Sequence, residues 1–173
     1  MNNTIIKKKI CLIGAFGVGK TSLVQRFVYN RFDESYLSTI GVRVAQKDIE
    51  AEGEGRTLRM LIWDIEGYEA GNPIVKNYYL GAAGGILVGD VSRPDTFSDL
   101  SRLLSQFKTI NPQAVTVFAA NKIDLIPDIS TVSTMLKKTE EDLDSRLFLT
   151  SAKDGSNVEQ LFFFLNERLN RLS

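Results

Sequence analysis

Glycine, lysine and threonine at fixed spacing near the N-terminus form a candidate phosphate-binding loop. Residues 14–21 read Gly-Ala-Phe-Gly-Val-Gly-Lys-Thr, between a short apolar run and a run with helical spacing of apolar residues. Glycines let backbone N–H groups approach phosphate oxygens, and a helix that follows directs its partly positive N-terminus at them. Lys20 would neutralise phosphate charge and the Thr21 hydroxyl would bind Mg²⁺. A chance glycine-rich turn is the alternative, and the strand–loop–helix context disfavours it.

Four further segments follow this loop and carry polar groups at or near the ends of apolar runs. They are residues 36–41, 63–67, 121–124 and 150–153. Ligands of open α/β sheets bind outside the carboxyl ends of the strands, so these segments can converge on the phosphate loop. Each of them alone could be an ordinary surface turn. In this order and together with the loop, they predict one binding site.

The rest of the chain supplies the elements that can position these segments. Apolar strands alternate with amphipathic helices, which predicts a parallel sheet covered by helices on both faces. We expect strands at 7–13, 42–51, 57–64, 84–90, 115–120 and 146–149. We expect helices at 20–29, 70–80, 95–109, 131–138 and 157–170. A turn signal, Glu-Gly-Glu-Gly at 52–55, predicts an antiparallel hairpin at one edge of the sheet.

Length and composition are those of an ordinary globular protein. The chain has 173 residues, of which 43% are hydrophobic, with 21 basic and 21 acidic side chains. One domain over residues 1–173 is expected, and the balanced charge gives no indication of a nucleic-acid partner. Histidine is absent, which excludes histidine metal ligands and histidine bases. The single cysteine, Cys11, lies in the first strand, where we expect it to pack in the core. Because a lone cysteine cannot form an internal disulfide, we expect the protein to be cytoplasmic.

Taken together, the five segments resemble those of the Ras superfamily of small GTPases, above all the Rab branch. The resemblance covers residues 7–170 and includes Ser-Thr-Ile-Gly at 38–41, Trp-Asp at 63–64 and the run 78–84. It implies the fold of a P-loop NTPase G domain, a six-stranded mostly parallel sheet with one antiparallel edge hairpin and about five flanking helices. It also implies a switch that binds GTP or GDP with Mg²⁺ and hydrolyses GTP to GDP and phosphate.

The resemblance assigns a base-binding role to the segments at 121–124 and 150–153. Asp124 would accept hydrogen bonds from the guanine N1–H and amine, a donor pair that adenine lacks. The aliphatic part of the lysine side chain at 122 would lie over the base. The other residues expected to form this pocket are Phe32, Asn121, Lys122, Ser151, Ala152 and Lys153.

Phosphate, metal and catalytic roles follow from the resemblance in the same way. The phosphates would contact residues of the loop, namely Gly14, Phe16, Gly17, Val18, Gly19, Lys20, Thr21 and Ser22. The γ-phosphate would also be sensed by Thr39 and the Gly67 N–H, which would order two switch loops. The metal would be bound by Thr21, Thr39 and Asp64, and Asp64 would bind it through a water molecule. The catalytic candidates are Lys20, Thr39, Gly67 and Tyr68.

Two residues beside the expected γ-phosphate depart from the family pattern. Phe16 stands where the family has glycine or another small residue, and Tyr68 stands where it has the glutamine that orients the attacking water. A phenol lacks the paired donor and acceptor of an amide, and Phe16 would obstruct an incoming arginine finger. We therefore expect slow intrinsic hydrolysis. The alternative function is an essentially non-hydrolysing, GTP-bound interaction or scaffold module. A further alternative is that Arg43, in the first switch region, acts as an internal arginine finger if a partner reorders that loop toward the phosphates.

Partner surfaces are also implied by the resemblance. Effector and regulatory proteins would bind through residues 36–44 and 64–79, although Val44 replaces one of three aromatic residues that Rab proteins present to effectors. The C-terminus has no cysteine for prenylation and position 2 is not glycine, so no lipid anchor is expected. We expect a cytoplasmic monomer whose recruitment to a membrane would depend on a protein partner. A prokaryotic or otherwise divergent relative is one interpretation of these departures.

Overall fold

One six-stranded sheet organises the chain. The computed structural model describes residues 4–33, 41–51, 56–66 and 73–171. Within them the strands are β1 (Thr4–Ile13), β2 (Gly41–Ala51), β3 (Arg56–Glu66), β4 (Gly84–Asp90), β5 (Val115–Asn121) and β6 (Leu147–Leu149). Their order across the sheet is β2-β3-β1-β4-β5-β6. The β2–β3 pair is antiparallel and the other pairs are parallel, which confirms the predicted sheet and its edge hairpin.

The helices occupy the connections between strands, close to where the sequence predicts them. They are α1 (Lys20–Tyr29), α2 (Pro73–Tyr79), α3 (Asp95–Ser98), α4 (Leu100–Ile110), α5 (Ser133–Leu143) and α6 (Val158–Arg171). The short helix α3 and the longer helix α4 together replace the single helix predicted at 95–109. Asp99 between them keeps helical angles, φ −90° and ψ −9°, so the two are nearly continuous. The expectation of about five helices therefore agrees with the structure.

The largest difference in helix bounds concerns the segment after β5. The sequence predicts a helix at 131–138, whereas α5 extends to Leu143 and is preceded by a 3₁₀ turn at Ile129–Val132. The Asp128 side chain accepts a hydrogen bond from Ser130 N and so begins the turn. The end of α5 is easily missed in the sequence because it is mostly polar. Leu143 is buried all the same, one heptad after Leu136, and so extends the helix face that packs on the core.

The two faces of the sheet carry different helices. On one face α1 and α6 cover alternate strand residues, including Ile10, Ile86 and Val117. On the other face α2 to α5 cover the residues between them, so Leu87 and Phe118 belong to a second cluster. Because neighbouring strand residues point to opposite faces, the central strands are apolar throughout. β4 is buried along its whole length, as expected for a central parallel strand.

Gly89 permits close packing of a helix on β4. A Cβ atom at this position would lie 2.2 Å from Cε1 of Phe97, which is far inside van der Waals contact. Phe97, from α3, also packs edge-on against Phe118 of β5 with ring centroids 5.7 Å apart. The aromatic ring of α3 thus fills the space that a side chain at position 89 would need. No helix of the described residues is long and apolar enough to span a membrane.

Candidate functional site

The predicted phosphate loop joins the carboxyl end of β1 to α1, which begins at Lys20. The Lys20 Nζ atom donates hydrogen bonds to the carbonyl oxygens of Gly14, at 2.9 Å, and Ala15, at 2.8 Å. The lysine side chain therefore folds back over the loop, and only 2% of its surface is exposed. The first N–H groups of α1 and this ammonium group together make the loop positive, which suits an anionic phosphate chain.

Asn121, at the end of β5, connects three of the predicted segments. Its Nδ2 donates to the Val18 carbonyl oxygen at 3.0 Å, and its Oδ1 accepts from Thr150 Oγ1 at 3.2 Å and from Ala152 N at 3.3 Å. This close approach requires a glycine at position 19. A Cβ there would lie 2.3 Å from Asn121 Nδ2, and the backbone has φ +99°. One buried amide thus holds the phosphate loop against both candidate base-binding segments.

Asp124 lies exposed at the same edge of the sheet. Ser151 Oγ donates to Asp124 Oδ1 at 2.6 Å, and Asp124 Oδ2 has no hydrogen-bond partner within the described part of the chain. Lys122 precedes it in the left-handed conformation, with φ +68°, and donates from Nζ to the Gly17 carbonyl oxygen at 2.8 Å. The lysine side chain therefore spans from the base segment to the phosphate loop. The carboxylate is held in one orientation and still offers an acceptor to a ligand.

Arg26 supports the segment at 150–153 from α1, although the sequence patterns do not identify it. Its Nε donates to the Ala152 carbonyl oxygen at 2.8 Å and its Nη2 donates to the Lys153 carbonyl oxygen at 2.5 Å. These contacts fix the backbone whose Ala152 N–H is expected to face the base. More than one hundred residues separate Arg26 from these partners, so no local sequence signal announces the contact.

A hydroxyl group and a carboxylate converge at the predicted metal site. Thr21 Oγ1, in the first turn of α1, donates to Asp64 Oδ2 at 2.5 Å. Asp64 is 2% exposed and lies opposite Leu12 in the parallel β1–β3 ladder, which brings the end of β3 beside the phosphate loop. Mg²⁺ prefers such oxygen donors and is commonly held by one or two protein groups together with phosphate oxygens. These two residues therefore fit a magnesium ion.

The structure also reveals a buried acid, Asp90, that the sequence patterns do not identify. It is 1% exposed at the end of β4, and its carboxylate accepts hydrogen bonds from Lys122 Nζ at 2.7 Å, Ser92 Oγ at 2.6 Å and Arg93 Nε at 3.0 Å. Burial alone would raise the pKa of Asp90, but the hydrogen bonds from Lys122, Ser92 and Arg93 hold that pKa below its ordinary value. Arg93 Nη2 also donates to the Phe16 carbonyl oxygen at 3.0 Å. Asp90 thus links the tip of the phosphate loop to the base segment.

Comparison with known proteins identifies the family. The model of the Ras family matches residues 9–171. The chain belongs to the Ras family. As a Ras-family protein it is a GTP-binding switch of the GTPase class, and its six-stranded α/β sheet with flanking helices is the fold of that family.

Several relatives of this Ras-family protein are of the Rab type. It is 35% identical to the GTP-binding protein ypt1 of Schizosaccharomyces pombe over 162 residues, which are 93% of this chain and 79% of ypt1. It is 36% identical to the Ras-related protein Rab-22A of Homo sapiens over 163 residues, 93% of this chain and 82% of that protein. With Rab11E of Lotus japonicus the identity is 39% over 156 residues, 89% and 70% of the two chains. The Ras-family protein is therefore a divergent Rab-like member.

The remaining predicted site residues of the Ras-family protein differ in their surroundings. Val18 is fully buried, and Ser22 is half-buried in the first turn of α1. Phe32 is half-buried against the core cluster to which Ala152 belongs. Phe16 is 54% exposed, so its ring points away from the core. The predicted residues Thr39, Gly67 and Tyr68 lie outside the described residues.

Arg43, the alternative internal arginine, lies on the edge strand β2. It is exposed and stands opposite Asp64 in the antiparallel ladder with β3. Arg93, by contrast, already contacts the phosphate loop through the Phe16 carbonyl oxygen. Arg93, in the connection between β4 and α3, therefore contacts this loop, and no local sequence pattern identifies it.

Proposed function

We propose that this Ras-family protein is a guanine-nucleotide switch that binds GTP and GDP with Mg²⁺ and hydrolyses GTP slowly. The observation that carries the proposal is the hydrogen-bond network of Asn121, which joins the phosphate loop to the two base segments. A ligand that spans these three parts needs a phosphate chain at one end and a hydrogen-bonding base at the other. A guanine nucleotide meets both requirements.

Base recognition would depend on Asp124 and the backbone that Arg26 supports. The Asp124 carboxylate would accept from the guanine N1–H and amine. The Ala152 N–H, which donates to Asn121 Oδ1 at a long 3.3 Å, would share its hydrogen with the guanine carbonyl oxygen. Lys122 would contribute its aliphatic stem while its Nζ remains bonded to Asp90 and Gly17. Since ATP has no donor pair at the corresponding edge, the site should discriminate strongly against it.

Phosphate binding would depend on Lys20 and the first turn of α1. The Lys20 ammonium group is already at the loop and would transfer its hydrogen bonds from the Gly14 and Ala15 carbonyl oxygens to phosphate oxygens. Thr21 and Asp64 would hold Mg²⁺, which when bound neutralises the charge that develops on the γ-phosphate. The loop N–H groups would stabilise the same charge without reorganisation.

Slow hydrolysis is proposed because the residues expected next to the γ-phosphate position the attacking water poorly. Tyr68 offers a hydroxyl group where the family has an amide that both donates and accepts. Phe16 is 54% exposed at the loop, where its ring would obstruct an arginine from an activating protein. Without that arginine the rate would lack a factor of about 10³–10⁵.

Effector and regulatory proteins are proposed to bind next to this site, on residues 36–44 and 64–79. Among the described residues of this surface, Val44 is 53% exposed and stands opposite Trp63 in the β2–β3 ladder. Tyr78 lies 6.5 Å from Trp63 between ring centroids, and Lys9 Nζ lies 3.8 Å above the indole. An exposed apolar patch of this kind, built on a rigid strand pair, is suitable for protein recognition.

Single-turnover cleavage of bound GTP tests the catalytic part of the proposal. The nucleotide on purified protein is first identified, and phosphate release is then followed for the native chain and for Tyr68→Gln, Phe16→Gly and the double variant. We expect the double variant to be fastest. Tyr29→Gln, which changes an exposed tyrosine at the end of α1, should leave the rate unchanged.

Three outcomes would contradict different parts of the proposal. Native protein that cleaves GTP faster than all three variants would show that Phe16 and Tyr68 are adaptations for catalysis. Native protein and variants that bind GTP but release no phosphate would favour the non-hydrolysing scaffold module instead. Equal affinity for ATP and GTP would contradict the proposed base recognition.

A further inference from the structure

A small cavity lies at the end of the sheet opposite the candidate nucleotide site. It is about 260 Å³ in volume and opens beside the start of β5, whereas Asn121 stands at the end of that strand. Seven residues of strand correspond to about 20 Å. The lining comes from β5, the α5–β6 connection and α6, and it includes Thr116, Asp144, Arg146, Phe164, Arg168 and Arg171. We call this the arginine cavity.

Two of the arginines are held over a single aromatic ring. The Arg146 guanidinium carbon lies 4.7 Å from the centroid of Phe164, and that of Arg168 lies 5.4 Å from the same centroid. Arg146 also lies 5.3 Å from the ring of Phe148. Such stacking restricts the side chains before any ligand binds, so less conformational entropy is lost on binding. It also holds two positive charges close together.

Within the described part of the chain these charges have no acidic partner. None of the guanidinium groups of Arg146, Arg168 and Arg171 forms an ion pair or a side-chain hydrogen bond with a described residue. Elsewhere in the molecule, Arg59 and Arg102 each pair with an aspartate. Among the described residues, the cavity lining has one carboxylate, that of Asp144, against three guanidinium groups.

A positive concavity of this kind attracts anions. Low-dielectric walls concentrate the potential of the arginines, and repulsion between like charges is relieved when an anion enters. Guanidinium groups bind phosphate oxygens bidentately and with charge-assisted hydrogen bonds. Two hydroxyl groups of the lining, Thr116 Oγ1 and Ser145 Oγ, bond to each other at 2.9 Å, and Ser145 Oγ also donates to the Leu143 carbonyl oxygen at 3.1 Å. The donors for an anion are therefore the guanidinium groups.

We propose that the arginine cavity binds a phosphate monoester carried on a small group, and that this site is separate from the nucleotide site. The volume suits one or two phosphate groups on a small carrier, since sites for drug-sized ligands begin at about 300 Å³. Arg146, Arg168 and Arg171 bind the phosphate, and Phe164 holds two of them in position. The phosphate belongs either to a soluble molecule or to the headgroup of a lipid, and the experiment distinguishes the two.

Binding is measured on the whole chain in excess GDP and Mg²⁺, with inositol trisphosphate as the soluble probe. Calorimetry at low salt should give saturable binding at one site. Arg168→Gln and Arg171→Gln should each lower the affinity about tenfold, because each removes a charge-assisted hydrogen bond. Phe164→Leu keeps an apolar side chain but removes the ring, and it should lower the affinity several-fold.

Two further variants give the sharpest controls. Asp144→Asn removes the one acidic group of the lining and should raise the affinity, and asparagine tolerates the left-handed backbone at this position, where φ is +44°. Arg102→Gln removes an exposed arginine of α4 that is not part of the cavity lining and should change nothing. Thermal unfolding of each variant establishes that it is folded.

Vesicles identify the source of the phosphate. Cosedimentation uses phosphatidylcholine vesicles with and without a minor fraction of phosphatidylinositol bisphosphate. Saturable binding of the soluble probe with no binding to the vesicles supports the proposal with a soluble ligand. Vesicle binding that Arg168→Gln abolishes supports it with a lipid headgroup.

Three results would overturn the proposal. They are no binding of either probe, equal losses for Arg102→Gln and the cavity variants, and an affinity that Asp144→Asn leaves unchanged. The second would show that binding follows net charge and not this cavity. Failure here would leave the proposed nucleotide function intact, because none of the cavity residues belongs to that site.

Discussion

At the scale of single residues, the Asp124 carboxylate is expected to determine which base binds. Its Oδ1 is occupied by the Ser151 hydroxyl, so the residue is fixed in orientation before a ligand arrives. Asp124→Asn should weaken GTP binding by about 2–5 kcal/mol, because a charge-assisted donor pair loses its acceptor. The same change should favour xanthosine triphosphate, whose 2-carbonyl can accept from an amide. Competition binding of the two nucleotides measures both effects.

A nearby aspartate provides the matched control for this prediction. Asp128 is also exposed and also accepts hydrogen bonds from a serine, Ser130, so Asp128→Asn changes the same charge outside the proposed pocket. Its preference for GTP should equal that of the native protein. If Asp124→Asn binds GTP as tightly as the native protein does, the proposed base contact is wrong.

A second prediction at this scale concerns Gly89. Gly89→Ala should lower the free energy of unfolding by about 1–3 kcal/mol, because the new Cβ would overlap the Phe97 ring. Urea unfolding measures the loss. In a Phe97→Ala background the same substitution should cost much less, since the ring is gone. Equal costs in both backgrounds would show that Phe97 does not exclude a side chain at position 89.

At the scale of elements, the connection from β4 to α3 supports the phosphate loop through Arg93. The guanidinium group bridges the Asp90 carboxylate and the Phe16 carbonyl oxygen. Arg93→Ala should therefore loosen the loop and speed GDP dissociation about threefold to tenfold, a modest effect because Arg93 is partly exposed. Stopped-flow release of a fluorescent GDP analogue measures the rate.

The chain offers a close control for Arg93. Arg102 also pairs with an aspartate three residues earlier, and its side chain is 43% exposed against 42% for Arg93. Arg102→Ala removes the same charge and an ion pair of the same spacing, here with the exposed Asp99, and it does not touch the phosphate loop, so GDP release should not change. Equal acceleration by both variants would attribute the effect to net charge and not to the Phe16 contact.

At the scale of the whole molecule, the Asp90 network is expected to influence acid stability. The pKa of Asp90 is lowered in the folded protein. Its contribution to folding stability is therefore fully present at pH values above the pKa of the unfolded state, about 3.9, and is lost as the pH falls through the pKa of the folded state. Asp90→Asn should cost about 1–3 kcal/mol at neutral pH, because Lys122 and Arg93 lose their shared acceptor. Urea unfolding between neutral pH and pH values near 3 measures this, and the difference from native protein should shrink below about pH 4.

An exposed acid separates this effect from general charge loss. Asp99 pairs with Arg102 at the surface and is 64% exposed, so Asp99→Asn should change stability by less than about 1 kcal/mol at any of these pH values. A difference between native protein and Asp90→Asn that stays constant from neutral to acid pH would contradict the proposed linkage.

Much of this fold could be predicted because it depends on local patterns. Apolar runs bounded by polar turns predicted all six strands, and the alternation of strands with amphipathic helices predicted the parallel sheet. The predicted helix bounds were less accurate where the sequence is polar, as at the end of α5. Leu143 is buried there only because α5 packs on the rest of the fold, which the local sequence does not show. The contact of Phe97 with Gly89 likewise could not be deduced, since it depends on how α3 lies on β4.

The candidate site likewise has parts that local sequence patterns predict and parts that only the tertiary structure decides. The sequence by itself predicted the phosphate loop and the segments at 121–124 and 150–153, because these signals consist of residue types at short spacing. That the Thr21 hydroxyl meets the Asp64 carboxylate, 43 residues away, is visible only in the tertiary structure. Only the tertiary structure decided that Asp90 links Arg93 to Lys122, that Arg26 holds the backbone of Ala152, and that three arginines surround one cavity. Partners in such contacts are often tens of residues apart, and their side chains meet only because the sheet order and helix packing bring them together. Local sequence patterns do not encode that proximity.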